Sequence, residues 1–386
     1  MQDSSSSSRR RRRRIKLFKL LNKQEEEEEE EKRIENKLIV LFRPENTFYL
    51  TNFWGEGITI ISEENIQTKL VVPKLEYTRA INTSKECDVI SSDRGITIIN
   101  TLMNLIKEGD IVFSDSNDFD IINKIQKKIG NKNVVIDSKL LYSLREIKDT
   151  EEINNIKIAS KTIDKLFEIA LKEIKENMIT EEQIQSILVY EAMKLGARFP
   201  SYPYTSNPLI VASGPNGSFP HAETSNKKIK SGELIVIDLT LSFNHYVSDA
   251  TRTFGLGNIT KEMKEVYETV KISQENGIEY IKKTSDFSDI DACCRNTITN
   301  KQWGEYFIHS TGHGIGLEVH EPPWIRPNFK NKIKENMTIT IEPGIYIENK
   351  LGVRIEDSLL ITKKGNRDDE FDSINFHSFS KELFVL

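Results

Sequence analysis

Residues 233–254 read Glu233-Leu-Ile-Val-Ile-Asp-Leu-Thr-Leu-Ser-Phe-Asn-His-Tyr-Val-Ser-Asp-Ala-Thr-Arg-Thr-Phe254, and this stretch decides the fold of the region around it. Two runs of strand-forming residues flank a short polar break, a pattern that predicts a β-hairpin. A loop at Phe243-Asn244 places Asp238 directly opposite Asp249. Side chains paired in this way have Cβ atoms about 4.5–5.5 Å apart. Because two buried like charges repel each other and lose their hydration, the pair favours a divalent cation between the strands.

The same two aspartates have a simpler interpretation, in which both are solvated residues near a turn. Buried carboxylates without a partner are rare, which supports the metal interpretation. Two carboxylates at this separation also suit a dinuclear site, in which the metal ions lie about 3.5–4 Å apart. The choice between the two interpretations depends on residues later in the chain.

Composition indicates a globular protein with a sizeable core. The chain has 386 residues, of which 29% are charged and 37% hydrophobic, so it is long enough for two domains. Its apolar runs are far shorter than the roughly 20 residues that cross a bilayer, so no membrane partner is expected. Three cysteines, Cys87, Cys293 and Cys294, have no metal or redox spacing, which predicts reduced thiols and a cytoplasmic location.

The first 36 residues are dominated by charge. Six arginines, Arg9 to Arg14, precede seven glutamates, Glu25 to Glu31. Blocks of like charge repel themselves and bury little apolar surface, so residues 1–36 are predicted to be a disordered low-complexity tail. The arginines could contact nucleic acid or anionic lipid, but the acidic run partly neutralises them, and no specific nucleic-acid partner is expected.

Residues 37–143 are predicted to form an N-terminal α/β domain, because strand-like and helical patterns alternate there. The strand-like runs are Leu38–Phe42, Ile58–Ile61, Leu70–Val72, Ile111–Phe113 and Val134–Ile136. Helical patterns cover Asn100–Ile106 and Asp120–Ile129.

Residues 144–386 form an α+β pattern in which two helices precede strands, and this order occurs twice. The first pair of helices covers about 153–174 and 180–196, where Thr180 and Gln183 have the spacing of a capping box. The second pair covers about 260–283 and 288–299, followed by strand-like runs at Thr338–Ile341, Gly344–Ile347 and Ser358–Ile361. The repeated order predicts a duplicated half-domain.

Possible metal ligands are concentrated in this second region. Five of the six histidines lie between residues 221 and 320, and His313 stands between Gly312 and Gly314, which allow close backbone approach. Glu342 and Glu356 each follow an apolar, strand-like run. Carboxylates with one imidazole suit hard or borderline divalent ions.

Taken together, these motifs resemble the pita-bread metallopeptidases, which include methionine aminopeptidase, aminopeptidase P and prolidase. The Xaa-Pro peptidase subfamily is the most similar, on the motifs Gly214-Pro-Asn-Gly, Pro220-His-Ala, Ser248-Asp-Ala-Thr-Arg-Thr-Phe254, Gly312-His-Gly-Ile-Gly316, Val319-His-Glu-Pro-Pro and Glu342-Pro-Gly-Ile-Tyr346. The resemblance implies a C-terminal pita-bread catalytic domain and an N-terminal creatinase-like domain. It also implies five metal ligands: Asp238, Asp249, His313, Glu342 and Glu356. Thr240 departs from the family, which usually has glycine there, and could narrow the site.

The resemblance further implies a reaction and roles for the residues. Two divalent ions per subunit, Mn²⁺ or Co²⁺ in first place and Zn²⁺ or Fe²⁺ in second, would share a bridging water whose hydroxide attacks the scissile carbonyl. Glu342 is the expected proton shuttle, and His221 and His320 would hydrogen-bond the substrate carbonyl and the developing oxyanion. Thr251 and Tyr346 are expected to support the ligands, Arg354 to support the site or the substrate, and His309 to line the substrate pocket. His245 and His377 are expected to be non-catalytic.

The expected activity is hydrolysis of the peptide bond before proline, with dipeptides and longer peptides both open as substrates. A homodimer is expected, in which a partner's N-terminal loop would complete part of the pocket. Methionine aminopeptidase is an alternative, although that subfamily usually lacks the large N-terminal domain. Creatinase-like hydrolases lack the metal ligands, and a non-catalytic binding protein on the same fold would not need them.

Overall fold

A computed structural model describes residues 3–26, 36–174, 179–200, 209–365 and 370–386, with the side chains of residues 9–23 in the first of these ranges. The chain divides into two compact units, Met1–Leu144 and Arg145–Leu386. Among the described residues, no helix combines the length and the apolarity that a bilayer crossing requires.

The first unit contains a mixed six-stranded sheet with helices between its strands, so the predicted α/β alternation is confirmed. Strand β1 pairs antiparallel with β2 and parallel with β5, and the strand order is β4-β3-β2-β1-β5-β6. The strands are β1 Lys37–Leu41, β2 Ile58–Ser62, β3 Thr68–Pro73, β4 Asp88–Ser92, β5 Ile111–Ser114 and β6 Val134–Ile136. The helices are α1 Asp3–Glu26, α2 Pro44–Thr51, α3 Lys74–Thr83, α4 Ile96–Leu105 and α5 Phe119–Ile129, with α6 Tyr142–Arg145 at the junction with the second unit.

The prediction of disorder for residues 1–36 is wrong over α1. Leu17, Phe18 and Leu21 lie on one face of this helix and are at most 4% exposed. Arg13 and Arg14 continue the same face, at the i, i+4 spacing of an amphipathic helix. They are buried as well, so the charged composition conceals a helix with one apolar side. Most of the glutamate run, residues 27–31, lies outside the described residues.

The buried arginines of α1 donate to backbone carbonyl groups at the end of α2 and in the loop between α3 and β4. Arg14 Nη2 donates to the carbonyl oxygen of Leu50 at 2.7 Å, and its Nη1 donates to that of Glu86 at 2.8 Å. Arg13 Nη1 donates to the carbonyl oxygen of Tyr49 at 2.9 Å. The last carbonyls of a helix have no partner within the helix, so these arginines complete the C-terminus of α2.

In the second unit, the order of two helices followed by antiparallel strands occurs twice, as predicted. In the first half, helices α7 and α8 pack on the sheet β7-β8-β9 around a common apolar core. The capping box predicted for α8 is present, with Thr180 Oγ1 accepting from Gln183 N at 3.2 Å. The elements of this half are α7 Thr150–Glu173, α8 Glu181–Lys194, β7 Leu209–Ser213, β8 Glu233–Phe243 and β9 Tyr246–Leu256.

The second half has its own apolar core beneath a five-stranded sheet of order β11-β10-β12-β15-β16, with β13 and β14 as a separate hairpin. Its helices are α9 Lys261–Tyr280 and α10 Phe287–Thr299. Its strands are β10 Gly312–Gly314, β11 Glu321–Ile325, β12 Thr338–Ile341, β13 Gly344–Ile347, β14 Leu351–Arg354, β15 Asp357–Lys363 and β16 Phe371–Asn375. The predicted bounds of β12 and β13 are confirmed.

The hairpin of β8 and β9 forms as predicted, but its predicted register is wrong. The loop is Asn244-His245, and both residues have positive φ, 47° and 71°. Two positive φ values are the requirement of a type I′ turn, whose twist matches that of the strands. The loop is therefore displaced by one residue and every partner by two: Asp238 lies opposite Thr251, and Asp249 lies opposite Thr240.

Candidate metal centre

The β8–β9 hairpin presents its two aspartates on one face, as diagonal rather than direct neighbours. Asp238 and Thr240 are two residues apart on β8, so their side chains share a face, and the same holds for Asp249 and Thr251 on β9. Each aspartate consequently faces a threonine across the hairpin. Diagonal neighbours are about 7–8 Å apart, which separates the two like charges more than direct pairing would.

Strand β10 brings His313 to the same place in a defined tautomer. The backbone N–H of His313 donates to Thr340 Oγ1 of β12 at 3.1 Å. Ring Nδ1 lies 3.0 Å from the carbonyl oxygen of Gly314 and must donate to it, because a carbonyl only accepts. Nε2 is thereby left as the ligand atom, and it lies 3.3 Å from Glu342 Oε1.

The pairing of β12 with β15 brings Glu342 and Glu356 together, because each residue adjoins one of the paired strand ends. In the β12–β15 ladder, Ile341 lies opposite Asp357. Glu342 directly follows the first of these residues and Glu356 directly precedes the second. Thr251 Oγ1 of β9 donates to Glu356 Oε2 at 2.7 Å, which ties this pair of strand ends to the hairpin.

Three side chains form a compact set of ligand atoms. One oxygen of Asp249, one oxygen of Glu356 and one ring nitrogen of His313 all lie within 4.8 Å of one another. All three residues are at most 5% exposed. Asp238 and Glu342 border the set, since their charges act on Asp249.

The site contains more carboxylic acids than can be ionised together without added positive charge. Burial raises the pKa of Asp249 well above its usual value, and the charge of Asp238 adds to the shift. Burial also raises the pKa of Glu356, with a further contribution from Asp249. Burial opposes the charged form of Glu342 too, but the hydrogen bond and charge of His313 outweigh it and lower the pKa of Glu342 to about 2. The carboxylates therefore need additional positive charge to ionise together.

The donor set fits a divalent cation. Asp238 Oδ1 and Glu356 Oε1 are buried and have no hydrogen-bond partner among the residues that the structure describes. A buried carboxylate oxygen without a partner is costly, so its presence here is explained by a ligand that it would bind. Four carboxylates and one imidazole are donors for hard or borderline divalent ions.

Arg354 is fully engaged in holding the centre. It is 3% exposed, and its Nη2 donates to Asp238 Oδ2 at 2.5 Å. Its Nε donates to Thr251 Oγ1 at 3.1 Å, and its Nη1 to the carbonyl oxygen of Pro220 at 3.1 Å and to the hydroxyl of Tyr346. Of the two expected roles of Arg354, these contacts favour support of the site.

Tyr346 and His309 extend this network. His309 Nδ1 lies 2.7 Å from the carbonyl oxygen of Ser310 and donates to it, so Nε2 accepts from the hydroxyl of Tyr346 at 3.0 Å. Burial lowers the pKa of His309 and raises that of Tyr346 to about 12, which agrees with a neutral imidazole and a protonated phenol. Arg354, Tyr346 and His309 thus form one chain of hydrogen bonds, in which Arg354 donates to Tyr346 and Tyr346 donates to His309.

His320 lies beside His313, and His221 lies near His320. The ring of His320 packs edge-on against that of His313, with centroids 4.2 Å apart. Burial and then the charge of His313 lower the pKa of His320 to about 3, so it is a neutral imidazole at physiological pH. His221 is exposed, close enough to His320 for its charge to act on it.

Several residues that the sequence did not single out support the ligands. Ser358 Oγ donates to the carbonyl oxygen of Asp249 at 2.7 Å and accepts from its N–H at 3.1 Å. Beside His320, the buried Glu321 accepts from Lys148 Nζ at 2.9 Å and from Arg145. Glu321 falls within a quoted motif, but its partners are more than 170 residues away in sequence, so the motif alone could not reveal them.

The two histidines expected to be non-catalytic occupy different settings. His245 is in the hairpin turn and exposed. His377 is buried, with Nδ1 3.0 Å from Asp164 Oδ1 and Nε2 3.4 Å from Ser248 Oγ. Neither belongs to the compact set of ligand atoms.

Comparison with known proteins agrees with the two-unit architecture. The family model described as Metallopeptidase family M24 matches residues 154–363, and that of the Creatinase/Prolidase N-terminal domain matches residues 29–147. An Xaa-Pro dipeptidase of Pyrococcus furiosus is 36% identical over 332 residues, which cover 85% of this chain and 91% of the relative.

Solved structures show the same likeness over nearly the whole chain. A prolidase from Pyrococcus horikoshii OT3 has a TM-score of 0.83 and 31% identity, covering 96% of this chain and 99% of that one. An X-Pro aminopeptidase from Thermotoga maritima MSB8 has a TM-score of 0.77 and 28% identity, covering 92% of this chain and 98% of that one.

Proposed function

The chain belongs to metallopeptidase family M24, and on this premise we propose that it is an Xaa-Pro dipeptidase, which hydrolyses the bond between a residue and a following proline. The observation that carries the proposal is the buried set of Asp249, His313 and Glu356, with Asp238 and Glu342 at its border. The dipeptidase relative at 36% identity supports a dipeptide as the substrate.

We propose that the five side chains hold two divalent ions, Mn²⁺ or Co²⁺ in first place. Bound ions would lower the pKa of a water molecule to supply the nucleophile, and would polarise the scissile carbonyl. The orphaned oxygens Asp238 Oδ1 and Glu356 Oε1 support binding by these two residues. The Nδ1 donor bond of His313 fixes its Nε2 as the ligand atom.

Glu342 is the proposed proton carrier. In the metal-free protein the His313 contact lowers the pKa of Glu342, and bound cations would favour its charged form in the same way, so it can accept the proton released by the attacking water and pass it to the proline nitrogen that leaves. His320 is a neutral imidazole with one ring N–H. It can therefore donate a hydrogen bond to the oxygen that becomes negative during the attack. His221 is proposed to hold the substrate from the exposed side.

The substrate test compares peptides that differ in one feature. Metal-loaded protein should release proline from Ala-Pro faster than it releases alanine from Ala-Pro-Gly, and it should leave Met-Ala-Ser uncleaved. A preference for Ala-Pro-Gly would indicate an Xaa-Pro aminopeptidase, which the Thermotoga maritima structure makes the second candidate. Metal-loaded protein that cleaves no proline peptide would refute the proposal.

Two further expectations concern the metal and the assembly. Elemental analysis of protein saturated with Mn²⁺ should give two ions per chain, and a value near one would refute the dinuclear centre. Size-exclusion chromatography with light scattering should give twice the chain mass of 44.5 kDa if the protein is a homodimer.

A further inference from the structure

Thr240 makes a specific contact with one of the proposed ligands. It lies directly opposite Asp249 in the β8–β9 ladder, and its Oγ1 donates to Asp249 Oδ1 at 2.9 Å. Both residues are 5% exposed. When Asp249 is ionised, as metal binding requires, this contact is a charge-assisted hydrogen bond, and burial protects it from competition by water.

We propose that Thr240 is a positioning residue that fixes the Asp249 carboxylate for metal binding and thereby raises the affinity of the centre for divalent ions. The inference rests on the proposed function, because it takes Asp249 as a metal ligand. It assigns to the hydroxyl of Thr240 a role that a glycine or a valine at this position could not perform.

The surroundings of Asp249 leave the hydroxyl of Thr240 as the contact that orients the carboxylate. The backbone of Asp249 is held on both sides, since Ser358 Oγ binds its N–H and its carbonyl oxygen. With the backbone fixed, the remaining freedom is rotation of the side chain. Thr240 limits that rotation, because a β-branched residue in a strand is itself restricted at χ1.

The hairpin places a threonine next to each aspartate, but the two threonines differ in what they orient. Thr251 faces Asp238, yet its hydroxyl donates to Glu356 and accepts from Arg354. Asp238 is oriented by Arg354 instead. Thr240 orients Asp249 in the way that Arg354 orients Asp238. Loss of the Thr240 hydroxyl should therefore affect Asp249 first.

The expected loss of metal affinity follows from the effect of comparable contacts in other metal sites. Removing a group that orients a metal ligand typically weakens metal binding by about 10- to 100-fold. A competing role would have the opposite effect, because the hydroxyl occupies one lone pair of Asp249 Oδ1 that an ion could use. The direction of the change therefore distinguishes a positioning role from a competing one.

The test measures metal affinity directly. Metal-depleted full-length protein is titrated with Co²⁺, followed by its visible absorption and by calorimetry, for wild type, Thr240→Val and Thr240→Ser. Thr240→Val keeps the shape but loses the hydroxyl, and Thr240→Ser keeps the hydroxyl. Thr269→Val is the matched control, since Thr269 is equally buried but its hydroxyl donates to the carbonyl oxygen of Glu265 within α9.

The expected result is an affinity about 10- to 100-fold lower for Thr240→Val, with an altered Co²⁺ spectrum, and near wild-type values for Thr240→Ser and Thr269→Val. Equal or tighter binding by Thr240→Val would overturn the positioning role while leaving the proposed function intact. A wild-type protein that binds no Co²⁺ would overturn the metal centre and this inference with it. If Thr240→Val fails to fold, Thr240→Ala is expected to show the same loss and decides the matter.

Discussion

At the scale of single residues, the charged groups around the centre divide into those that a metal would contact and those that hold them. Arg354 belongs to the second group, because its donors contact Asp238, Thr251, Tyr346 and the backbone of residue 220. His320 belongs to neither group. Its ring packs edge-on against that of His313 and burial keeps it neutral, so we propose it as a hydrogen-bond donor to the substrate.

The position of His320 leads to a kinetic prediction. His320→Ala should lower kcat about 10²- to 10³-fold, because it removes the neutral donor proposed for the developing oxyanion, and Co²⁺ binding should persist. Steady-state kinetics on Ala-Pro and a Co²⁺ titration measure the two effects. His245→Asn is the control, since His245 is in the exposed turn with positive φ, which asparagine tolerates. An unchanged kcat in His320→Ala would exclude this role.

The ligand set itself gives a second prediction. His313→Ala should abolish detectable Co²⁺ binding and peptidase activity, because it removes the imidazole from the compact set of ligand atoms. The protein should remain folded by circular dichroism, since the backbone of β10 still pairs with β11 and β12. A His313→Ala protein that retains full activity would refute the ligand assignment.

The residue types and the family resemblance together predict the five candidate ligands, but they do not give the residues that face them across the strands. The expected loop Phe243-Asn244 and the observed loop Asn244-His245 are both short and polar, and they differ by one residue. Because Asn244-His245 is not one of the Asn-Gly or Asp-Gly pairs typical of a type I′ turn, the turn was not apparent from the sequence. The error changed which residue faces each aspartate. The contact between Thr240 and Asp249 follows only from the observed pairing.

At the scale of secondary-structure elements, α1 shows how composition can conceal an amphipathic helix. The six arginines predicted a solvated tail because their charges were counted together. In the helix they separate by face, so that Arg13 and Arg14 are buried while Arg11 and Arg12 are exposed. The carbonyl groups that accept from the buried arginines lie 36 to 72 residues away, beyond the reach of local patterns.

The contacts of α1 predict that Arg14 and Arg11, three residues apart, contribute differently to stability. Arg14→Ala should destabilise the first unit by about 2 kcal/mol or more, because it leaves buried carbonyl groups without a charged donor. Arg11→Ala should change stability by less than about 0.5 kcal/mol, as is usual for exposed positions. Hydrogen–deuterium exchange of residues 9–23 and 44–51 measures the effect. Equal protection in the two variants would show that the Arg14 contacts do not stabilise α1.

At the scale of the whole molecule, the metal-free protein should depend on pH in a defined direction. Asp249 and Glu356 have raised pKa values in the folded protein, whereas in the unfolded chain they ionise near pH 4 (about 3.9 and 4.3). The stabilisation from their protonated forms is complete below the unfolded values and is lost as the pH rises toward the folded ones. Each group that stays protonated in the folded state lowers the free energy of unfolding by up to about 1.4 kcal/mol per pH unit.

We therefore expect chelator-treated protein to lose stability between about pH 5 and pH 8. The raised pKa of His313 acts in the same direction, whereas Glu342, with its pKa near 2, has already ionised in both states. Unfolding midpoints at several pH values test this, with Asp249→Asn expected to show a smaller slope. Added Mn²⁺ should stabilise more at pH 8 than at pH 5. A metal-free protein whose stability rises over this range would contradict the prediction.

The pairing of β12 with β15 also has a consequence for the order in which the protein becomes functional. Asp238 and Asp249 meet through a local hairpin, but Glu356 joins them from 107 residues further along the chain than Asp249. During synthesis the hairpin can form early, whereas the centre is complete only after β15 has emerged and paired. The proposed ligand set is therefore incomplete until Glu356 has been synthesised, so metal binding and peptidase activity are expected only after the second half of the second unit has closed its sheet.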